Sequence, residues 1–399
     1  MDRKLLILLI IFYLIQIPLL FSTLTGDESV YFMMGKVVSE GKVPYQDFFY
    51  GHPPLQVYLY AGLIKLFGMH IWILKSFTLL FIIGSTILLY LIAKERYDEK
   101  IALVAAFLFL TSYDILIFGS FAFGLEIAIF FFMLSWYYLN KKPCLSGVFM
   151  GLAIATRLHV LTLGIILWLH SKDKLNFTVG CSVCLPYYCG LLNIPNFFSN
   201  VFGYHAGKLA HTDGWFSFFR TNLPLFILLS YSFKKIKDSL TFEFTLAYCA
   251  FLLIVGSVFE YFFLPITIIL SIEGAYALTY SRFKKYLWVV ILIWTIMMGV
   301  KVGIFVYNTS IEYNDYINYI KTIDGDIMGE SSLASLIALK TGKEIHNLEI
   351  DTNFQRRQSY NFSNSLVVYN ERVFNGLEFN CTLLNVTTIN DNVFKLWKC

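Results

Sequence analysis

Two adjacent carboxylates, Asp27 and Glu28, directly follow the first long apolar segment of the chain. A carboxylate that faces a polar cavity near a membrane interface is costly unless it is paired or used. One such group can deprotonate a hydroxyl while its oxygen attacks an electrophilic carbon, much as the base of an inverting glycosidase activates water. The structural alternative is that Asp27 caps a helix running through Met33 to Val38, with Glu28 in its first turn, where both gain from the helix dipole. Spacing alone does not separate the two interpretations.

Cations are the second group that could do chemistry. A phosphate leaving group departs already ionised, so it needs cations or hydrogen-bond donors rather than an acid. The residues predicted to bind such a phosphate are Arg157, His159, His205, Lys208 and Arg220. Arg157 with His159 is the first choice, because a charge in an apolar region is expensive without an anionic partner. An arginine that snorkels to the interface is the alternative for Arg157, and a structural role is the alternative for His205.

Polar and aromatic residues that could shape a substrate cleft fall in two places. Tyr45, Asp47, Tyr50 and His52 lie between Gly41 and Leu55, and Glu260 and Tyr261 begin a later apolar segment. Stacking on a sugar is one interpretation of the tyrosines, and an interfacial aromatic belt is the other. Pro53 and Pro54 favour the start of a helix from Leu55 to Phe67.

The composition shows what must position these residues. Of 399 residues, 57% are hydrophobic and 15% are charged, with a mean hydropathy of +0.63, whereas soluble domains have roughly 25% charged residues. Apolar runs of about 20 residues match the length that crosses a membrane. Eleven spans are predicted, near 5–24, 70–93, 101–118, 121–139, 145–157, 159–170, 175–192, 220–233, 241–258, 261–279 and 286–306. The net charge of +4 is spread over short loops and gives no footprint for nucleic acid.

The distribution of lysine and arginine predicts the orientation of the spans. Arg3 and Lys4 place the N-terminus in the cytoplasm, and every second loop is basic if the chain reverses near Arg157 to His159. The first span is expected to stay uncleaved, because no signal-peptidase site follows it. The opposite side then holds residues 25–69, 193–219 and the tail from 307. We therefore predict a transmembrane domain over 1–306, with the catalytic motif in the loop 25–69, and a small extracytoplasmic α/β domain over 307–399.

Periodicity in the tail predicts individual elements. Residues 311–323 and 332–340 have helical spacing, and residues 326–329 and 365–369 read as strands. Cys381 and Cys399 could pair if the tail is extracytoplasmic, but the sequence does not establish this.

Several of these segments together resemble the GT-C superfamily of polytopic glycosyltransferases, in the branch of protein O-mannosyltransferases and lipid A aminoarabinose transferases. They are Asp27-Glu28, Pro44-Tyr45-Gln46-Asp47 through His52-Pro53-Pro54-Leu55, the run from Gly151 to Arg157, and the run from Glu260 to Pro265. The resemblance covers about the first 280 residues. It implies that Asp27 is the catalytic base with Glu28 beside it, and that the donor is a polyprenyl- or dolichyl-phosphate sugar. Arg157 stands where relatives often have lysine.

The expected function is therefore an inverting hexosyl or pentosyl transfer from a lipid-phosphate carrier to a hydroxyl of a protein, lipid or glycan on the extracytoplasmic side. No obligatory metal is expected, although Asp114 and Glu126 bracket a loop where some relatives hold one, so a divalent metal is left open. The alternative is a transporter or flippase, which predicts inverted repeats that the sequence does not show convincingly. An oligosaccharyltransferase would need a Trp-Trp-Asp-type motif in a large soluble domain, which this tail lacks. The expected partners are the donor lipid, the acceptor and the bilayer.

Overall fold

The computed structural model describes residues 2–24, 26–184, 197–203, 213–232, 239–255, 258–329, 331–345, 365–370, 382–389 and 392–398. The helices are α1 (Arg3–Leu20), α2 (Asp27–Ser39), α3 (Leu55–Phe67), α4 (Ile71–Arg96), α5 (Glu99–Thr111), α6 (Tyr113–Phe118), α7 (Leu125–Tyr138), α8 (Pro143–Thr156), α9 (Leu161–His170), α10 (Lys174–Ser182), α11 (Asp213–Thr221), α12 (Leu223–Ser232), α13 (Ser239–Val255), α14 (Leu264–Tyr280), α15 (Lys284–Lys321) and α16 (Ser331–Thr341). Short 3₁₀ turns cover Leu158–Val160 and Glu260–Phe263, and a π-helical turn covers Ser199–Gly203. The strands are β1 (Asp326–Gly329), β2 (Ser365–Asn370), β3 (Thr382–Ile389) and β4 (Asn392–Lys398).

Four of the described helices are long and apolar enough to cross a membrane. They cover Arg3–Leu20, Ile71–Arg96, Glu260–Tyr280 and Lys284–Lys321. The chain is therefore a mostly helical membrane protein with a small sheet near its C-terminus, as predicted. The count of eleven spans, the cytoplasmic N-terminus and the extracytoplasmic tail stay predictions.

Three predicted segments differ from the structure. The span predicted at 101–118 is interrupted at Ser112, whose backbone is extended and whose hydroxyl donates to the Phe109 carbonyl at 2.8 Å. Such local bonding lets serine compete with a continuous helix. The span predicted at 286–306 and the helix predicted at 311–323 are one helix, α15, of 38 residues. Residues 304–321 contain no glycine or proline that would end it.

The helix break at Arg157 lies where it was predicted. Helix α8 ends at Thr156, Arg157 takes an extended conformation with φ −145° and ψ 120°, and α9 starts after the turn Leu158–Val160. The tail elements β1, α16 and β2 also lie where the periodicity placed them. The β3–β4 hairpin was not predicted.

Residues 1–20, 51–56 and 75–302 form one compact unit, here called the first unit. Glycines bring α8 and α10 close together, since a Cβ on Gly180 would lie 1.9 Å from the Cys144 carbonyl oxygen and one on Gly147 would lie 2.0 Å from that of Phe177. Small residues allow this approach between helices in membranes. Helix α14 packs against α5 and α12 and is buried on nearly all sides, which is typical of a central helix.

Residues 21–50, 57–74 and 303–399 form the second unit. Its sheet has the order β1-β2-β4-β3, with β1 parallel to β2 and both other pairs antiparallel. Leu366, Val367 and Val368 of β2 are completely buried. Helix α16 packs on β1 and on α2, so the tail and the segment after α1 share one core. The domain boundary predicted between residues 306 and 307 stays a prediction.

Candidate active site

The predicted catalytic carboxylates lie in the first turn of α2. The residue that caps this helix is Gly26, with φ +53°, and it makes no side-chain cap hydrogen bond. The alternative interpretation, that Asp27 is the N-cap, is therefore not what the structure shows. Glycine adopts this conformation without steric cost, so the cap falls one residue earlier and Asp27 is already helical. Glu28 is completely buried, whereas Asp27 is half-buried.

The tail supports the turn that carries these carboxylates. The hydroxyl of Ser29 lies 2.6 Å from the carbonyl oxygen of Ser332 in α16 and 3.1 Å from that of Gly26. Farther along α2, a Cβ on Gly35 would lie 2.8 Å from the Cβ of Tyr60, which shows how closely α2 and α3 pack. Asp27 is thus placed by a helix whose position depends on the packing of the second unit.

The tyrosines predicted in a cleft form a packed cluster beside α2. Tyr50 is completely buried, with its ring centroid 6.5 Å from that of Tyr31 and 6.0 Å from that of Tyr45. Tyr45 is also buried and has φ +67°, an uncommon conformation for this residue type. Asp47 is exposed, and its Oδ2 accepts a hydrogen bond of 2.7 Å from the Val43 backbone N–H. Packing and turn formation account for these contacts, and sugar binding by these residues stays a prediction.

Arg157, the predicted phosphate ligand, is 3% exposed and is held by a loop and a glutamine. Its Nη2 donates to the carbonyl oxygen of Phe123 and to Oε1 of Gln56, the latter at 3.1 Å. Gln56 Nε2 in turn donates to the Ala122 carbonyl oxygen at 2.7 Å. A Cβ on Gly124, which has φ +76°, would lie 2.2 Å from Gln56 Oε1.

Gln56 and Gly124 were missed by the reasoning from sequence. A weak signal was present, because Gln56 directly follows the sequence His52-Pro53-Pro54-Leu55 and is polar at the start of an apolar helix. Its partners could not be read locally, since they lie 66 and 101 residues away in the chain.

His159 and Tyr261 make ring contacts near Arg157. The ring of Tyr261 stacks on that of Phe123 at 4.3 Å between centroids. The ring of His159 lies 5.4 Å from that of Phe262. The break after α8 therefore packs against the 3₁₀ turn that begins at Glu260, and the structure brings Arg157, His159 and Tyr261 into one region of the first unit.

Glu260 and Arg220 belong to a second charged group in the first unit. The cations whose charges act on Glu260 are Lys301 and Arg220. Lys301 Nζ also lies 4.6 Å from the centroid of the Tyr113 ring. Arg220 is exposed at the end of α11, and its guanidinium lies 5.9 Å from the centroid of the Phe216 ring. Lys301 was not predicted, because it is a single charge within a long apolar span.

Asp114 and Glu126, which bracket a predicted external loop, are both completely buried. Asp114 Oδ2 accepts hydrogen bonds from Asn222 at 2.8 Å and from Thr267 at 3.0 Å. Within the described ranges, no group of three or more histidine, cysteine, aspartate or glutamate side chains is arranged to hold a metal ion. The expectation of no obligatory metal stays a prediction.

The candidate residues divide between the two units. Asp27, Glu28, Tyr45, Asp47 and Tyr50 lie in the second unit, and His52, Arg157, His159, Arg220, Glu260 and Tyr261 lie in the first. His205, Lys208, Cys381 and Cys399 fall outside the described residues.

Comparison with known proteins identifies the architecture. Residues 51–178 match the model of the dolichyl-phosphate-mannose-protein mannosyltransferase family. A crystal structure of ArnT from Cupriavidus metallidurans bound to undecaprenyl phosphate superposes with a TM-score of 0.71, covering 98% of this chain and 97% of that chain at 11% sequence identity. The fold is therefore that of ArnT.

Two further crystal structures are similar to this chain. ArnT in the apo state has a TM-score of 0.68 at 12% identity and covers 97% of both chains. The Archaeoglobus fulgidus oligosaccharyltransferase has a TM-score of 0.49 at 13% identity and covers 88% of this chain and 64% of that one. No curated protein sequence matches the chain significantly.

These comparisons confirm the GT-C resemblance that the sequence predicted. The segment that matches the mannosyltransferase family contains His52, Gln56, Gly124, Arg157 and His159, whereas the carboxylates on α2 precede it. The roles of individual residues stay predictions.

Proposed function

We propose that the protein is a glycosyltransferase that takes its sugar from a polyprenyl-phosphate carrier. The observation that carries this proposal is the similarity to ArnT along nearly the whole of both chains, in a structure that holds undecaprenyl phosphate. The match of residues 51–178 to a family that uses dolichyl-phosphate mannose supports the same donor class. The donor is therefore a sugar joined through its anomeric carbon to a phosphate on a polyprenyl or dolichyl chain.

In the proposed reaction, Asp27 is the base. Its carboxylate takes the proton of the acceptor hydroxyl while that oxygen bonds to the anomeric carbon. The bond between this carbon and the phosphate oxygen breaks, and the phosphate leaves with the electron pair. Attack on the face opposite the leaving group inverts the configuration. The products are the glycoside and the polyprenyl phosphate, and a hexosyl or pentosyl group is transferred to a protein, lipid or glycan.

Arg157 is the residue proposed to stabilise the departing phosphate. A guanidinium presents several N–H donors in one plane, a geometry that suits phosphate oxygens. Burial strengthens such an interaction, because the local dielectric is low. His159, Arg220, His205 and Lys208 are proposed as further phosphate contacts. His52, Glu260 and Tyr261, with Tyr45, Asp47 and Tyr50, are proposed to line the cleft.

The position of Asp27 in a first helical turn suits its role, because negative charge there interacts favourably with the helix dipole. Glu28, buried beside it, is proposed as its neighbour in the site. We propose that both face the extracytoplasmic side together with the tail, and that the N-terminus is cytoplasmic.

The test incubates the purified full-length protein with a panel of polyprenyl-phosphate sugars and acceptors. Asp27→Asn should lower the transfer rate by at least about 100-fold, the usual contribution of a general base. Asp324→Asn makes the same change at an exposed position of the second unit and should leave transfer unchanged. Undiminished transfer by Asp27→Asn would overturn the assignment of the base. Failure of the wild-type protein to bind undecaprenyl phosphate would overturn the donor class.

A further inference from the structure

Gln56 connects Arg157 to the loop of residues 121–124. The glutamine side chain is completely buried. A guanidinium can only donate hydrogen bonds and a carbonyl oxygen can only accept them, so the orientation of the amide between Arg157 and Ala122 is determined. Oε1 faces Arg157 at 3.1 Å and Nε2 faces the Ala122 carbonyl oxygen at 2.7 Å. Both ends of the amide are thus used.

The loop is shaped to receive the two side chains together. Arg157 Nη2 also donates to the Phe123 carbonyl oxygen. The next residue, Gly124, lies directly against both side chains, because a Cβ there would lie 2.2 Å from Gln56 Oε1 and 3.1 Å from Arg157 Nε. A planar guanidinium whose Nη2 donates to two acceptors cannot turn freely, so these two contacts restrict the plane in which its donors point.

We propose that Gln56 is a positioning residue for phosphate binding, which orients the guanidinium of Arg157 towards the phosphate of the polyprenyl-phosphate donor. This inference rests on the proposed function, which assigns the phosphate-binding role to Arg157. Gln56 acts through Arg157 and does not touch the donor. Its importance follows from the sensitivity of such sites to misplacement, where about 1 Å can cost about 100-fold in rate.

Gln16 is a matched control for Gln56. It is also completely buried in the first unit, and its Nε2 also donates to a backbone carbonyl oxygen, that of Leu116, at 3.0 Å. Among the hydrogen bonds of the described residues, the Gln16 amide has this one alone and none to a cation. Replacing either glutamine by methionine removes one buried amide of the same size, but only Gln56→Met releases Arg157.

The experiment measures the dissociation constant of undecaprenyl phosphate for the full-length protein in detergent. The variants are Gln56→Met, Gln16→Met, Arg157→Met and the double variant of Gln56 and Arg157. Gln56→Met should weaken binding by about tenfold, the size expected for losing a hydrogen bond to a charged group. Gln16→Met should leave the constant unchanged. In the Arg157→Met background, Gln56→Met should have no further effect, because a residue that acts through Arg157 has nothing left to position.

The outcomes separate this inference from the proposed function. If Arg157→Met binds undecaprenyl phosphate as well as wild type does, the phosphate role of Arg157 is wrong and the inference is overturned with it. If Arg157→Met weakens binding but Gln56→Met behaves like Gln16→Met, only the inference is overturned. Equal losses from Gln56→Met with and without Arg157 would also overturn it, since they indicate a general structural role. Should Gln56→Met fail to fold, Gln56→Asn takes its place under the same outcomes.

Discussion

Asp27 begins a helix, whereas Arg157 lies in extended backbone between two helices. The carboxylate is placed by the backbone of α2, and α2 is placed by its packing against α16 and α3 in the second unit. The cation is placed by hydrogen bonds of its own side chain to Gln56 and Phe123 in the first unit. We predict that removing Arg157 disturbs the fold around it more than removing the Asp27 charge does, because Arg157 is 3% exposed whereas Asp27 is only half-buried.

The largest expected effect tests this contrast directly. Arg157→Met should lower the free energy of unfolding by about 2–4 kcal/mol, because it leaves the buried oxygens of Phe123 and Gln56 without their donor. Asp27→Asn keeps the shape of a half-buried side chain and should change the free energy of unfolding by about 1 kcal/mol or less. Thermal unfolding of both variants in the same detergent makes the comparison. An equal loss of stability in the two variants would contradict this difference between Asp27 and Arg157.

Gly124→Ala should have the next largest effect. The positive φ of this residue costs a non-glycine residue about 1–2 kcal/mol, and the added methyl group would collide with Gln56 Oε1. We expect a loss of about 2–3 kcal/mol in unfolding free energy together with weaker binding of undecaprenyl phosphate. Gly299→Ala is the control, because its Cβ would enter open space in helix α15, and it should stabilise the helix by up to about 1 kcal/mol. Normal donor binding by Gly124→Ala would show that the loop does not need this geometry.

The candidate residues also differ in how far the sequence predicted them. Asp27 and Arg157 became candidates because charges at the edges of apolar segments are costly and because the resemblance to GT-C enzymes includes both residues. Their roles stay predictions. The break at Arg157 followed from the alternation of basic loops. Gln56 and Gly124 could not be found in this way, since an uncharged amide and a glycine gain their meaning only from partners far away in the chain.

The same limit applied to the elements that surround the site. Hydrophobic periodicity correctly placed β1, α16 and β2. It did not show that α15 continues unbroken from the membrane span into the tail, because a helix end depends on the presence of a stop signal that residues 304–321 lack. The interpretation of Asp27 as a helix cap rested on residue type, since an acidic side chain is a common cap, whereas the structure has the cap at Gly26.

Ser29 offers a test of the packing around Asp27 in the second unit. Ser29→Ala removes the hydroxyl that bonds to the carbonyl oxygens of Ser332 and Gly26, and one such hydrogen bond contributes about 1 kcal/mol. We expect a severalfold fall in kcat with KM for the donor unchanged, because the first turn of α2 loosens while the phosphate contacts stay intact. Ser39→Ala is the matched control on the same helix, since the Ser39 hydroxyl donates to the backbone carbonyl oxygen of Lys36 at 2.6 Å within α2. If both variants have the same kcat, α16 does not position the carboxylates.

The smallest expected effect concerns the pH dependence of stability and involves Asp98, which is not one of the candidate site residues. Asp98 caps α5 through a hydrogen bond of 2.8 Å from the Ile101 N–H, and the hydroxyl of Tyr280 also donates to it. The hydrogen bond from Tyr280 is the main cause that lowers the pKa of the Asp98 carboxyl, and the bond from Ile101 adds to it. A lowered pKa in the folded state stabilises the fold above the ordinary aspartate pKa, and this contribution is lost as the pH falls through the folded value. Asp98 is only slightly buried, so solvent screening should keep the effect below about 1 kcal/mol.

The test measures the free energy of unfolding of wild type and Asp98→Asn between about pH 7 and pH 3. Wild type should be the more stable protein at pH 7, and this advantage in stability should shrink with acidification. An advantage that grows towards low pH would contradict this assignment, and transfer activity at pH 7 should be the same in both proteins.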